Sequence, residues 1–154
     1  MNELKARLAE LGVDGSKASS PVANYVSVQK AGDIWFFSGA LCVKDGTPVC
    51  IGRVGEDVTE EQAYQAARQC AINLLSILDK ELEGDWDKFE QVVKLQGFVN
   101  STSDFTKQPA VVNGASDFLV EALGEQGKHA RTAVGVNVLP MNHPVEIEMI
   151  VKVK

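Results

Sequence analysis

Two long amphipathic helices set among β-strands constrain the fold of this chain more than any other feature. Residues 59–62 (Thr-Glu-Glu-Gln) form a capping box, and apolar residues then recur every three or four positions until about Glu83-Gly84. A second helix is predicted over residues 108–123, with Gly124 at the position where helices commonly end. Two such helices can cover one face of a sheet but not both.

The strands predicted around these helices lie on both sides of each helix in the sequence. They cover residues 25–30, 34–38, 92–99, 133–139 and 145–153, with a brief strand at 49–51 after a turn at 43–48. Residues 3–11 are expected to form a short helix, and a linker of mostly small residues follows over 15–21. The order predicts an α+β fold with one mixed sheet and both long helices packed on one face. We treat residues 1–154 as one domain, with residues 1–20 as its N-terminal helix and linker.

The face of the sheet that the helices leave uncovered is expected to carry small, apolar and ionic side chains. By strand alternation they are Arg131, Ala133, Gly135, Asn137, Glu146, Glu148 and Ile150. Such a mixture suits a surface that meets another subunit. An ordinary solvated face explains it equally well.

Arg131 and Glu146 have the same parity on the last two strands, so both are expected to point into one cleft. A direct hairpin with Val138 opposite Val145 would nevertheless separate them by roughly 20 Å at 3.3 Å per residue. A shared site therefore requires a different strand order or a contribution from a neighbouring subunit.

The charge balance and composition exclude several classes of function. The 154 residues carry 15 Lys and Arg against 21 Asp and Glu, a net charge of −6, which argues against a nucleic-acid partner. No apolar stretch approaches the ~20 residues of a membrane span, and no secretory signal opens the sequence. The three cysteines have no CxxC spacing. We expect a cytoplasmic protein with no membrane partner.

No motif indicates a nucleotide or a metal, so neither a cofactor nor a metal ion is expected. GxGxxG and GxxxxGK[ST] are absent, and His129 and His143 lack metal-ligand spacing and suit a surface or turn role. Arg131 is more informative because it opens an apolar strand, where an unpaired charge is costly. An internal salt bridge is the first explanation. A bound carboxylate, held by two parallel hydrogen bonds, is the second.

Several segments together form a recognisable family pattern. They are residues 32–39, 105–113, 129–134 and 139–148. From about Tyr25 onwards the chain resembles the YjgF/RidA family of reactive-intermediate (enamine/imine) deaminases, also called endoribonuclease L-PSP. Residues 52–55, 66–70 and 112–116 resemble its longer branch. The resemblance implies a chorismate mutase-like fold, assembled as a homotrimer with a barrel-like core and with clefts between subunits.

The resemblance also assigns roles to six residues. Arg131 would hold the substrate carboxylate and Glu146 would handle the attacking water. The other expected substrate-binding residues are Tyr25, Ser38, Gly39 and Asn113. The implied activity, like that of 2-iminobutanoate/2-iminopropanoate deaminases, is cofactor-free hydrolysis of 2-imino or 2-enamino acids to 2-oxo acids and ammonia. The sequence departs from the family pattern at Ala40, Ala133 and Gly135.

Two other functions are alternatives to the deaminase activity. A trimer that binds small carboxylates or metabolites would use the same arginine without turnover. An RNA-acting protein, as one family name suggests, fits poorly because the chain is acidic and contains only four arginines.

Overall fold

The computed structural model describes residues 3–154, so Met1 and Asn2, included in the predicted domain, lie outside the described residues. Three α-helices are present: α1 (Glu3–Glu10), α2 (Glu60–Glu81) and α3 (Gln108–Leu123). The strands are β1 (Val28–Ala31), β2 (Ile34–Phe37), β3 (Ala40–Leu41), β4 (Val43–Lys44), β5 (Thr47–Pro48), β6 (Phe89–Asn100), β7 (Ala130–Val136) and β8 (Val145–Val153). None of the helices in this part of the chain is long and apolar enough to cross a membrane.

The main sheet has the strand order β1-β2-β8-β6-β7, and β3 pairs with β8 beyond the end of β2. β6 and β7 are parallel, whereas the pairings of β8 with β2, β3 and β6 are antiparallel. A mixed sheet with helices confirms the predicted α+β fold. β7 and β8 are separated by β6, so the direct hairpin considered for them is wrong. The reason is that α3 forms a crossover that returns the chain parallel to β6, which leaves β8 to enter on the other side.

The helices begin and end where their sequence signals predict. Thr59 caps α2: its hydroxyl accepts from the Gln62 amide, and the Gln62 side chain accepts from the Thr59 amide. Gly124 ends α3 with a φ of 64°, which glycine adopts at little cost. The predictions for both long helices are confirmed to within about two residues.

The short strands and strand ends differ from the predictions. The brief strand at 49–51 is absent, and the predicted turn at 43–48 is instead the small hairpin β4–β5. β1 begins at residue 28 rather than 25, because residues 23–27 turn before they reach the sheet. β7 ends at residue 136 rather than 139, since the Asn137 carbonyl accepts from Arg53 instead of a strand partner.

One face of the sheet packs against the helices and holds the core. On β8 the buried residues Val145, Ile147, Met149, Val151 and Val153 alternate with partly exposed ones, as the sequence predicts. The opposite face carries Glu146, Glu148 and Ile150 of β8. It also presents Phe36 and Val134, which are 45% and 40% exposed.

β7 presents the opposite face from the one predicted. Its register aligns Arg131 with Leu95 of β6, and Leu95 is in turn aligned with the buried Met149 of β8. Arg131, Ala133 and Gly135 therefore face α3, so the prediction that they share the uncovered face with Glu146 is wrong. The sequence misleads because this edge strand is partly exposed on both faces, and no run of buried residues marks its inner side.

Candidate active site

The structure divides the six predicted site residues into two groups on opposite faces of the sheet. Arg131 of β7 and Asn113 of α3 lie together on the helix-covered face. Gly39 lies against Glu146, which belongs to the uncovered face. Ser38 precedes Gly39 in the chain, and Tyr25 lines the same cavity as both. We call these groups the arginine half-site and the glutamate half-site. Within one chain the sheet separates them.

Two side chains of α3 hold the guanidinium of Arg131. Its Nη1 donates to Asn113 Oδ1 at 2.7 Å and to Ser116 Oγ at 3.2 Å. Asn113 and Ser116 are three residues apart on the helix, so they share one face. Both hydrogens of Nη1 are thereby used. The Nε–Nη2 edge, with which arginine grips a carboxylate in two parallel hydrogen bonds, has no hydrogen-bond partner within residues 3–154.

Arg131 has no acidic partner in the chain as described. None of the ion pairs among residues 3–154 includes Arg131, and the two groups that accept from it are neutral. The internal salt bridge, which was the first explanation for this residue, is therefore wrong. Arg131 is therefore a positively charged group that α3 positions, and its carboxylate-binding edge has no partner within residues 3–154.

His129 completes the arginine half-site, although the sequence suggested only a surface or turn role for it. Its Nδ1–H donates to the Gly127 carbonyl at 2.6 Å, because a carbonyl can only accept. Nε2 is then the acceptor for the Ser116 hydroxyl at 2.9 Å. Burial lowers the pKa of His129, and the charge of Arg131 lowers it further, whereas the hydrogen bond to Gly127 raises it. The net lowering of the pKa favours the neutral form. With its proton directed at His129, the Ser116 oxygen is free to accept from Arg131.

Sequence reasoning missed Ser116 and His129, though two spacings carried a signal. Ser116 follows Asn113 by three residues on a helix, and His129 precedes Arg131 by two in an extended segment. Each spacing places the missed residue, Ser116 or His129, on the same side as a predicted site residue. Neither spacing shows that the helix and the strand meet, which only the crossover of α3 onto β7 establishes.

Glu146 lies on β8 opposite Leu41 of β3, and its carboxylate rests directly against Gly39. A Cβ at residue 39 would overlap the carboxylate, so a larger residue here would displace the Glu146 side chain from this position. Burial raises the pKa of the half-buried Glu146 carboxyl, Glu148 raises it further, and His143 opposes both. A carboxylate with a raised pKa is better suited to take a proton from water near neutral pH.

Ser38 and Gly39 form the break between β2 and β3, which pair with different parts of β8. The Ser38 hydroxyl donates to the Val26 carbonyl at 2.7 Å, and its amide donates to the Ser27 carbonyl at 2.9 Å. These bonds hold the segment that carries Tyr25, whose side chain is 53% exposed, beside the break.

No group of three or more histidine, cysteine, aspartate or glutamate side chains in the described part of the chain is placed to hold a metal ion.

Comparison with known proteins identifies the family. The family model described as Endoribonuclease L-PSP matches residues 15–153. The chain belongs to the endoribonuclease L-PSP family. This confirms the resemblance to the YjgF/RidA family that the sequence motifs indicated.

Three relatives show how far the family likeness extends. Protein TCP17 of Trypanosoma cruzi is 40% identical over 148 residues, which are 96% of this chain and 92% of that protein. The crystal structure of Atu1372 from Agrobacterium tumefaciens, a protein of unknown function, is 42% identical with a TM-score of 0.87, covering 98% of this chain and 92% of that one. RidA from Psychrobacter sp. PAMC 21119 is 27% identical with a TM-score of 0.59, covering 88% and 94%.

Proposed function

We propose that this endoribonuclease L-PSP protein hydrolyses 2-imino acids, and the 2-enamino acids that tautomerise to them, to 2-oxo acids and ammonia without a cofactor. The open Nε–Nη2 edge of Arg131 is the observation that carries the proposal. It is a ready site for the carboxylate that every such substrate bears. The same feature alone would suit a protein that only binds carboxylates, and release of ammonia separates the two.

A complete site requires the arginine half-site of one subunit and the glutamate half-site of another. The sheet stands between Arg131 and Glu146 in a single chain, so one molecule cannot bring both to the same substrate. The exposed Phe36 and Val134 give the uncovered face an apolar surface that a neighbour would bury. In a homotrimer each subunit would give one half-site to each of its two neighbours, forming three equivalent sites.

This reaction requires the protein to bind the substrate and to provide one group that takes and returns a proton. With the carboxylate on Arg131, the adjacent imine carbon is electrophilic. The imine nitrogen first takes a proton from solvent. Glu146 then takes a proton from water as the water oxygen bonds to that carbon, and the C=N electron pair moves to the nitrogen, which gives a neutral carbinolamine. Glu146 returns its proton to the nitrogen, the C–N bond breaks and ammonia leaves, and the hydroxyl proton passes to solvent as the carbonyl of the 2-oxo acid forms.

The direct test is an assay in which an amino-acid oxidase generates the imine in situ. We expect the protein to accelerate the appearance of 2-oxo acid and ammonia over spontaneous hydrolysis. Binding of 2-oxo acids without any acceleration across a panel of imines would instead identify a carboxylate-binding protein. Salt-sensitive cleavage of RNA by a nuclease-free preparation would instead favour the endoribonuclease activity that the family is named for.

Ser116 is expected to act by positioning Arg131 rather than by touching substrate. Ser116→Ala removes one of the two hydrogen bonds that position the guanidinium while Asn113 keeps the other, so we expect KM to rise about 3- to 10-fold, equivalent to roughly 0.6–1.4 kcal/mol, with little change in kcat. Ser116→Thr keeps the hydroxyl and should restore most of the loss. A fall in kcat at constant KM would contradict the positioning role.

Glu148 is expected to set the pH at which Glu146 becomes an effective base. Its negative charge raises the pKa of Glu146, so Glu148→Gln should lower that pKa. Since the reaction needs ionised Glu146, the acidic limb of the kcat/KM profile should move to lower pH. Glu90→Gln, which removes a carboxylate paired with Lys152 elsewhere on the sheet, is the matched control and should leave the limb in place. A limb that moves to higher pH, or not at all, would contradict the assignment.

A further inference from the structure

A cavity of about 710 Å³ opens beside the glutamate half-site, and Tyr25, Ser38 and Gly39 line it. Its other walls are the segment that follows α1, the middle of α2, and the β4–β5 hairpin. Three of the predicted substrate-binding residues thus line a space that the assigned chemistry does not use. We call it the side-chain cavity.

The α2 wall of the side-chain cavity offers apolar surface, whereas serine and lysine side chains stand on the segment after α1 and on the hairpin. Apolar lining comes from Leu11, Leu41, Val43, Ile72 and Ile77. The polar residues that α2 contributes are already engaged within the protein. Asn73 donates to the carbonyls of Leu41 and Val43 and accepts from Gln69, and Ser76 donates to the Ile72 carbonyl while accepting from the Asp14 amide. A ligand against α2 would be recognised by shape and apolar contact.

The N-terminal wall of the cavity is a fixed part of the fold. The amides of Asp14 and Gly15 donate to Ser76 Oγ at 3.0 Å and to Asp79 Oδ2 at 3.1 Å. Gly15 packs so closely on α2 that a Cβ would meet the backbone of Lys80 at 2.9 Å. Lys17 pairs with Asp45 of the hairpin at 3.6 Å. These contacts hold residues 14–17 against α2 and the hairpin before any ligand binds.

We propose that the side-chain cavity receives the side chain of the substrate, which makes large apolar 2-imino acids the preferred substrate class. This inference rests on the proposed function. The volume is typical of pockets that enclose drug-sized ligands, so the methyl group of an alanine-derived imine would leave most of it empty. Gly39 lines the cavity and also lies against Glu146, which is itself outside the lining, so a side chain in the cavity would place the imine carbon at the Gly39 border between the two.

The test compares imines of different size on the wild type and on a variant with the cavity filled. We expect kcat/KM for leucine- and phenylalanine-derived imines to exceed that for the alanine-derived imine by about tenfold or more. Val43→Trp fills the cavity from the hairpin and should lower activity on the large imines about tenfold while sparing the small one. Val49→Trp, just beyond the hairpin and outside the cavity lining, is the matched control and should keep the preference.

A binding measurement keeps the proposal testable if a variant fails to fold or turnover is absent. By calorimetry, 4-methyl-2-oxopentanoate should bind the wild type about tenfold more tightly than pyruvate does. It should bind Val43→Trp more weakly than it binds the wild type. Absence of turnover on every imine would overturn the proposed function alone. Turnover without size preference, equal affinity for the two 2-oxo acids, or equal losses in Val43→Trp and Val49→Trp would overturn the cavity proposal.

Discussion

Arg131→Ala is expected to lower kcat/KM for every 2-imino acid by about a hundredfold or more, chiefly by raising KM. The substitution removes two charge-assisted hydrogen bonds to the substrate carboxylate, each worth about 1.5–3 kcal/mol. Asn113 and Ser116 lose a partner as well, but both lie at or near the surface, so water can replace it. Steady-state kinetics on imines generated in situ, together with calorimetric binding of a 2-oxo acid, measure the effect.

Two further arginine variants show whether charge, geometry or folding causes the loss. Arg131→Lys keeps the positive charge without the planar fork, so its activity should fall between wild type and alanine. Arg68→Ala removes an arginine of α2 that pairs with Glu121, and its kinetics should match the wild type. Undiminished activity of Arg131→Ala, or equal losses in Arg131→Ala and Arg68→Ala, would contradict the role of Arg131.

Glu146→Gln is expected to lower kcat by about 100- to 10,000-fold, the usual contribution of a positioned general base. Glutamine has nearly the same size and shape, so it fits against Gly39, but it cannot take a proton from water. Affinity for a 2-oxo acid should change little, because the carboxylate of that ligand is held by Arg131. The loss is therefore expected in turnover and not in binding.

Glu148→Gln is the matched control for Glu146→Gln, because it makes the same exchange two residues along the same strand and on the same face. Above the acidic limb, where Glu146 is ionised in both proteins, Glu148→Gln should retain wild-type kcat. If Glu146→Gln keeps full turnover, or loses 2-oxo acid binding as strongly as turnover, the water-handling role is wrong.

The elements with the strongest periodicity could be predicted from sequence, and the inner face of the edge strand β7 could not. In β8 every second residue is buried, so alternation gave both its limits and its inner face. α2 carries a complete capping box at its start. β7 is an edge strand with small residues toward α3 and apolar Val134 toward solvent, so hydrophobic alternation could not indicate which side faces inward.

Six residues of the candidate site could be proposed from sequence, but their grouping and the part played by Ser116 and His129 could not. Arg131 and Glu146 stand in motifs that family resemblance assigns, yet the side on which each lies depends on the register of β7 against β6. Ser116 and His129 belong to the arginine half-site because the crossover places α3 beside β7. Tertiary pairing, which local sequence does not encode, decided both outcomes.

Activity of mixed oligomers tests the division of the site between subunits most directly. Arg131→Ala and Glu146→Gln subunits, co-expressed with different tags and purified through both, would each supply the half-site that the other lacks. In every trimer that carries both tags, one interface of the three, or about a third, would join an intact arginine half-site to an intact glutamate half-site. We predict recovery of roughly that fraction of wild-type activity from two nearly inactive variants. Activity no higher than that of the separate variants would contradict a site shared between subunits.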